Sequence, residues 1–271
     1  MRKLEIYCTT IKYHKILEKL PSYIIPLGLG DENYPKNWLT EKNGQNIASL
    51  NKYYAELTGL YWVWKNRISN LKDDDLIGTC HYRVLWLNNM YEEKQKFSFS
   101  NLYSNLLNPE NDILNNSNVI QVQPILFKKK TLLIDFKEIH KNNALKDCIN
   151  YLHLSKRKKF EDHLNSNKIY PHNMFITKVS FFKEYCEAIF PWLDQCHKYC
   201  MENDLCNNYN MRLPAFLAER FTSYWFNQFE KRNLLSYARL GKFFLSNNVN
   251  TLINPIKLPF TFYQYPTIHK Y

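Results

Sequence analysis

Short β-prone segments alternate with segments of helical periodicity along this chain, and that alternation constrains its fold more than any other feature. Runs rich in β-branched and aromatic residues predict strands within residues 4–9, 22–29, 76–83, 119–126 and 170–179. Between them, apolar residues recur three and four positions apart, as they do on one face of a helix. Strands that alternate with helices predict an α/β fold with a mainly parallel sheet. No internal repeat or linker divides the chain, so we predict a single domain over residues 1–271.

Three helices are predicted most clearly. In residues 46–66 a core stripe is accompanied by a second, polar and aromatic stripe that contains Asn51, Ala55 and Trp62, and this second stripe could line a ligand cleft or a wet edge of the core. Residues 182–199 predict a helix with a kink at Pro191, and Pro214 opens a final helix that extends to residue 229. The Pro- and aromatic-rich residues 250–271 predict an ordered wrapping tail.

Charge and apolar content narrow the functional class. The formal net charge is +11, with basic clusters at residues 128–130 and 156–159, which predict either a solvated face or attraction to an acidic membrane leaflet. No nucleic-acid-binding motif accompanies them. No apolar run approaches the ~18 residues of a membrane span, and no export signal is visible. We therefore expect a cytoplasmic protein, peripheral at most to the inner membrane face, whose seven cysteines are free thiols.

Polar side chains lie at the ends of several predicted strands. Because parallel sheets bind ligands at the carboxyl ends of their strands, the residues after Cys80, Val122 and Ile176 are candidates. His81, Tyr82 and Arg83 end an apolar strand, and the Arg fork suits phosphate oxygens, although an arginine paired with an acid at the core edge fits the pattern equally well.

Two further polar pairs have the same character. His172 and Asn173 stand just before an apolar run, and Glu219 with Arg220 lies in the first turns of the last helix. There the helix dipole favours an ionised carboxylate, as a general base requires, but a capping role would use the same residue.

Several standard motifs are missing or weak. The chain contains neither GxGxxG nor GxxxxGK[ST], which makes dinucleotide and P-loop enzymes poor candidates. Asp73, Asp74 and Asp75 could hold a divalent cation, but they precede a strand and are better interpreted as a turn. Cysteines at 196, 200 and 206 match no zinc spacing, which favours core packing.

Five blocks, taken together, resemble a bacterial family of capsular and exopolysaccharide synthesis proteins that was first catalogued as a domain of unknown function. They are NIASLNKYYAELTGLYWVWKN (46–66), IGTCHYR (77–83), HNMFITK (172–178), FFKEYCEAIFPWL (181–193) and RLPAFLAERF (212–221). The resemblance implies a GT-A-like glycosyltransferase with a Rossmann-type, mainly parallel sheet flanked by helices. It also implies transfer of a hexose, galactose or galactofuranose in some members, from a UDP-sugar. The chain departs from the family at Val84, where a second arginine is usual.

Carried over by position, the resemblance assigns roles to individual residues. It implies that His81, Tyr82 and Arg83 bind the donor diphosphate, that Asn173 lies near the donor sugar or acceptor, and that Glu219 is the catalytic base. We further expect Thr9 and Lys12 at the diphosphate, and His172, Trp62 and Arg220 at the sugar or acceptor.

The resulting hypothesis is an inverting transfer to a capsular, exopolysaccharide or lipid-linked acceptor, with Mn²⁺ or Mg²⁺ as a candidate cofactor. In this hypothesis Glu219 removes the acceptor proton, Arg83 neutralises the leaving diphosphate, and Trp62 and Tyr82 stack on base or sugar. The alternatives are a non-catalytic carbohydrate-binding protein of the same pathway and a basic nucleic-acid-binding protein.

Overall fold

The computed structural model describes residues 2–89 and 103–239, so the predicted tail at 250–271 lies outside the described residues. In this part of the chain the strands are β1 (Leu4–Thr10), β2 (Ile24–Gly28), β3 (Leu39–Thr40), β4 (Leu76–His81), β5 (Val84–Trp86), β6 (Val119–Val122), β7 (Ile125–Leu126), β8 (Lys168–Ile169), β9 (Phe175–Lys178), β10 (Arg232–Leu235) and β11 (Tyr237–Arg239). The α-helices are α1 (Asn51–Tyr54), α2 (Leu57–Asn66), α3 (Asp112–Asn116), α4 (Leu132–His140), α5 (Ala144–Cys148), α6 (Leu154–Leu164), α7 (Val179–Glu202) and α8 (Leu213–Asn227).

The central sheet has the strand order β10-β6-β9-β4-β1-β2-β3. Strand β1 pairs in parallel with both β2 and β4, and β6 pairs in parallel with β10. Strand β9 is antiparallel to both of its neighbours, β4 and β6. The mixed α/β architecture with a mostly parallel sheet flanked by helices confirms the predicted fold class.

The direction of β9 corrects one expectation about the site. Because β9 runs against β4 and β6, the residues that follow Ile176 lie at the sheet edge opposite to the carboxyl ends of β1 and β4. The residues that precede β9, which include His172 and Asn173, instead lie at the same edge as those ends. His172 and Asn173 therefore lie next to the end of β4 because β9 is antiparallel to β4.

Apolar residues bury both faces of the sheet. On one face, α2 and α4 to α8 contribute a large cluster in which Phe175, Tyr185 and Phe221 are fully buried. On the other face, Trp86 and Ile176 belong to a second cluster, which the segments before β2 and after β5 complete. The sheet is thus covered on both sides, as expected when most of its strands are parallel.

Residues 46–66 do not form the single helix that their periodicity predicts. Helix α1 ends at Tyr54, and Ala55 has φ 49° and ψ −127°, after which α2 begins at Leu57. This conformation is disfavoured for a residue with a Cβ, and it is held by hydrogen bonds from Asn51 Nδ2 (3.2 Å) and Thr58 Oγ1 (2.9 Å) to the Ala55 carbonyl. Local side-chain hydrogen bonds to the backbone therefore hold a break that the apolar spacing does not predict.

The two later helices follow the prediction more closely. Helix α7 spans residues 179–202 with Pro191 inside it, and α8 has its proline in the first turn. Within residues 2–89 and 103–239, none of the helices combines the length and the apolar character needed to cross a bilayer.

Candidate active site

A cleft of about 300 Å³ opens at the sheet edge formed by the carboxyl ends of β1 and β4. Helix α8 and the α1–α2 turn supply its other walls. The lining residues are Thr9, Thr10, Ile11, Leu29, Asn51, Ala55, Glu56, His81, Tyr82, Arg83, Val84, His172, Asn173, Arg212, Ala215, Phe216 and Glu219. The structure thus brings His81 to Arg83, His172 with Asn173, and Glu219 to one cavity, although these groups are far apart in the chain.

His81 is fixed between two strands. Its Nδ1 lies 3.2 Å from the Thr9 hydroxyl at the end of β1, and its Nε2 lies 2.6 Å from the His172 carbonyl ahead of β9. Because a carbonyl oxygen only accepts, the Nε2 atom must carry the proton. The imidazole therefore joins the strand ends, and Thr9 contributes by positioning this ring.

Tyr82 and Arg83 form the rim of the cleft beside β4. The Tyr82 ring stacks on His14, with ring centroids 4.9 Å apart and planes 9° apart. The Arg83 guanidinium lies 5.1 Å from the centroid of the Tyr82 ring, and Arg83 is exposed. Among the described residues Arg83 makes no ion pair, which leaves its donor fork available to an anion in the cleft.

The His172–Asn173 turn is the most tightly held part of the site. Both residues have positive φ values, 72° and 48°, which are uncommon for side chains other than glycine. Asn173 is 2% exposed, and its Nδ2 donates to Glu56 Oε1 over 2.7 Å while its Oδ1 accepts from the Thr222 hydroxyl over 2.8 Å. The side-chain amide thus links α8 to the α1–α2 turn across the cleft.

Glu219 holds the same turn from the side of α8. Its Oε1 accepts from the His172 backbone N–H over 2.7 Å, and its Oε2 accepts from Arg220 Nη1 over 2.8 Å. Arg220 is 5% exposed and contacts Asp135 Oδ2 at 3.4 Å. Arg220 lies behind the cleft wall, where it acts on Glu219 rather than on a ligand.

Two charged residues at the cleft were missed by sequence reasoning. Arg212 precedes α8 and adds a second guanidinium to the lining. A cation beside a helix N-terminus opposes the helix dipole, and this local conflict is a signal that could have identified it. Glu56 adds a second carboxylate. Nothing in the local sequence marks it, since the helical pattern continues through its position.

Besides Arg220, two more predicted site residues lie outside the cleft. Trp62 is 5% exposed, packs in the apolar core and donates its indole N–H to the Asn43 carbonyl, so it cannot stack on a ligand in the cleft. Lys12 is exposed and lines a separate shallow depression with Tyr13 and Glu32. Trp62 lies outside the cleft because the helix breaks at Ala55, so the predicted polar and aromatic stripe does not continue from α1 into α2.

The acidic run that was weighed as a cation site has a different role. The Asp73 and Asp74 carboxylates pair with Lys183 and Lys178 at 2.7 and 2.8 Å. Asp75 accepts from the backbone N–H groups of Lys3 and Lys72. These carboxylates lie at the sheet edge opposite to the cleft and are already neutralised. The described residues contain no group of three or more His, Cys, Asp or Glu side chains placed to hold a metal.

Chemically, the cleft combines two guanidinium groups, one fixed imidazole and two carboxylates in a space of small-ligand size. Cationic forks bind phosphate oxygens, and carboxylates accept protons from hydroxyl groups.

The same architecture is found in a solved structure of another protein. A solved structure titled "WbbM bifunctional glycosytransferase apo structure" has the same fold, with a TM-score of 0.70 and 18% sequence identity over 87% of this chain. This chain corresponds to 45% of that longer one. No curated protein gives a significant match. The family model described as "Domain of unknown function (DUF4422)" matches residues 5–231, which include every cleft residue. The chain therefore belongs to the DUF4422 family.

Proposed function

We propose that this protein is a glycosyltransferase that moves a hexose from a UDP-sugar to a saccharide acceptor. The observation that carries the proposal is the cleft, where Arg83, His81 and two carboxylates meet at the carboxyl edge of β1 and β4. Support comes from the shared fold with a structure titled as a glycosyltransferase. A parallel sheet binds its ligands at this edge, and both steps of glycosyl transfer have a matching group here.

The diphosphate leaving group requires positive charge. Arg83 is exposed and lines the cleft, and so do Arg212 and Ala215 at the start of the fifteen-residue helix α8. Guanidinium forks and helix N-termini both stabilise phosphate oxygens. We assign binding of the diphosphate to these groups. His81 has a positioning role instead, because its Nε2–H is already directed at the His172 carbonyl.

The acceptor hydroxyl requires a base. The sequence proposes Glu219, and the structure adds Glu56 as a second carboxylate of the cleft. Both carboxylates are within the same cleft, and an acceptor that enters between them would meet the anomeric carbon of a donor held by Arg83. Direct attack on that carbon inverts its configuration, so the proposal is an inverting transfer.

The acceptor is proposed to be a growing capsular or exopolysaccharide chain or its lipid-linked precursor. The basic residues 156–159 lie on α6, where Lys158 and Lys159 are exposed, and Lys128 and Lys129 are exposed ahead of α4. Exposed lysines attract anionic lipid headgroups, which would bring the enzyme to a membrane-bound acceptor. Co-sedimentation with phosphatidylserine vesicles at low and high salt measures this contact.

A donor panel tests the proposed function. Purified protein is incubated with UDP-galactose, UDP-galactofuranose, UDP-glucose and UDP-N-acetylglucosamine, with and without Mn²⁺ and with EDTA, and released UDP is measured. We expect release from at least one donor, and its loss in EDTA with recovery in Mn²⁺ would identify a divalent cation as a cofactor. Sugar binding without UDP release from any donor would instead support a carbohydrate-binding protein and refute transfer.

A further inference from the structure

The two carboxylates of the cleft differ in how they are held. Glu219 lies in the second turn of α8, and Glu56 is the residue that immediately precedes α2. Only one of them is needed to take a proton from the acceptor. Their hydrogen-bond partners separate the two roles.

Glu219 already has a donor on each oxygen. Its Oε1 fixes the His172 backbone N–H at 2.7 Å, and its Oε2 forms an ion pair with Arg220 at 2.8 Å. Arg220 is 5% exposed and has only the longer 3.4 Å contact with Asp135 as a second carboxylate partner among the described residues. A proton on Glu219 would leave this buried guanidinium poorly compensated, which is costly inside a protein.

Glu56 is held by a neutral donor alone. Its Oε1 accepts from Asn173 Nδ2 over 2.7 Å, and the described residues supply no hydrogen bond to Oε2. The side chain is partly exposed and lines the cleft. If Oε2 gains a proton, Oε1 remains a carbonyl oxygen that still accepts from the amide. Glu56 can therefore change protonation state without losing its partner.

A chain of buried hydrogen bonds orients this carboxylate. The Tyr185 hydroxyl lies 2.7 Å from Thr222 Oγ1, which lies 2.8 Å from Asn173 Oδ1. A carboxylate can only accept, so Asn173 must present Nδ2 to Glu56 and Oδ1 to Thr222. The strained turn at Ala55, with φ 49°, places Glu56 at the Asn173 end of these hydrogen bonds. Strain of this kind persists where surrounding contacts over-determine it, and it is concentrated at functional sites.

We infer that Glu56 is the catalytic base of the transfer and that Glu219 is a positioning residue that fixes the His172–Asn173 turn. This inference rests on the proposed function. The acceptor hydroxyl proton passes to Glu56 Oε2 as the acceptor oxygen bonds to the anomeric carbon. The bond from that carbon to the diphosphate oxygen breaks, and its electron pair leaves with the diphosphate beside Arg83.

The test compares Glu56→Gln with Glu219→Gln, and with Glu187→Gln at an exposed position of α7 as a matched control. The measurements are kcat and kcat/KM for the active donor from pH 4.5 to 8.5, together with UDP affinity. General-base removal costs on the order of 10²–10⁴-fold. We expect Glu56→Gln to lose kcat by about that factor, to keep UDP affinity and to lose the fall in rate at low pH. Glu219→Gln should keep that low-pH fall, and Glu187→Gln should match the wild type.

Results that would refute the role of Glu56 differ from those that would refute the proposed function. If Glu56→Gln keeps more than about a tenth of the activity, or if Glu219→Gln alone abolishes the low-pH fall, Glu56 is not the base. If the wild type itself transfers no sugar, the proposed function fails and the inference fails with it.

A second variant covers the case in which Glu56→Gln does not fold. Asn173→Asp places a carboxylate against Glu56 Oε1, where like charges favour protonation of Glu56. The low-pH fall should then move to higher pH. An unmoved pH profile in a folded Asn173→Asp protein refutes the assignment.

Discussion

Replacing Thr222 by valine tests the hydrogen-bonded chain beneath the cleft, because valine keeps the shape of threonine and removes its hydroxyl. Thr222 is 1% exposed, and its hydroxyl lies between Tyr185 and Asn173. It is also 2.8 Å from the Ala218 carbonyl, so its single proton is shared between two acceptors and the Tyr185 hydroxyl must donate to it. The hydroxyl is therefore both donor and acceptor in a dry environment.

The expected loss of stability follows from the hydrogen-bonding groups that valine would leave without a partner. The Tyr185 hydroxyl loses its acceptor and Asn173 Oδ1 loses its donor, and both residues are at most 2% exposed. The Ala218 carbonyl is less affected, because it lies within a helix. Each buried unsatisfied group costs about 1–3 kcal/mol, so we expect Thr222→Val to lower the free energy of unfolding by about 2–4 kcal/mol.

Thr222→Ser is the matched control. Serine keeps the hydroxyl and removes one buried methyl group, which costs about 1 kcal/mol. Urea unfolding followed by circular dichroism gives both free energies from the midpoint and slope. We expect valine to destabilise more than serine although valine is closer to threonine in size. Equal stability of the two variants, or a more stable valine variant, would refute the role given to this hydroxyl.

Three further predictions concern residues around the cleft and the core. Ala55→Gly relieves a positive φ of 49° and should raise the free energy of unfolding by about 1 kcal/mol in urea; a loss of stability would show that the turn is unstrained. Gly59→Ala places a Cβ 2.9 Å from Leu29 Cδ2 and should lower the same quantity by about 1–3 kcal/mol, and an unchanged urea midpoint would contradict this overpacking. Burial lowers the pKa of His140 and of His163 from 6.5 to about 4, so their contribution to stability is complete above pH 6.5 and is lost as the pH falls towards 4. The double variant with glutamine at both positions should lose less stability between pH 7 and pH 5 than the wild type, and an equal loss would contradict the assignment.

Much of the fold was predictable because its signals are local. Strands β1, β4, β6 and β9 coincide with β-prone runs, and α8 begins next to the predicted Pro214. Polar residues next to those runs, such as His81 and Asn173, line one cleft in the structure. The direction of β9 was not predictable, because side-chain alternation is the same whichever way a strand runs.

The main error concerns a helix break that apolar spacing does not encode. The apolar spacing of residues 46–66 is satisfied equally by one helix or by two, and the bonds of Asn51 and Thr58 to the Ala55 carbonyl hold the break that the structure shows. Trp62 lies outside the cleft and Glu56 lines it. The functional roles of the cleft residues stay predictions, since they depend on a ligand.

Calorimetric titration of UDP into the wild type and into Arg83→Ala tests the central claim most directly. Lys146→Ala, which removes an exposed cation on α5, is the control. A charge-assisted hydrogen bond contributes about 1.5–3 kcal/mol, so UDP should bind the wild type saturably and the Arg83→Ala protein about 10- to 100-fold more weakly, while Lys146→Ala binds as the wild type does. Absence of saturable UDP binding, or equal affinity of the wild type and Arg83→Ala, would contradict the assignment of this cleft to a nucleoside diphosphate donor.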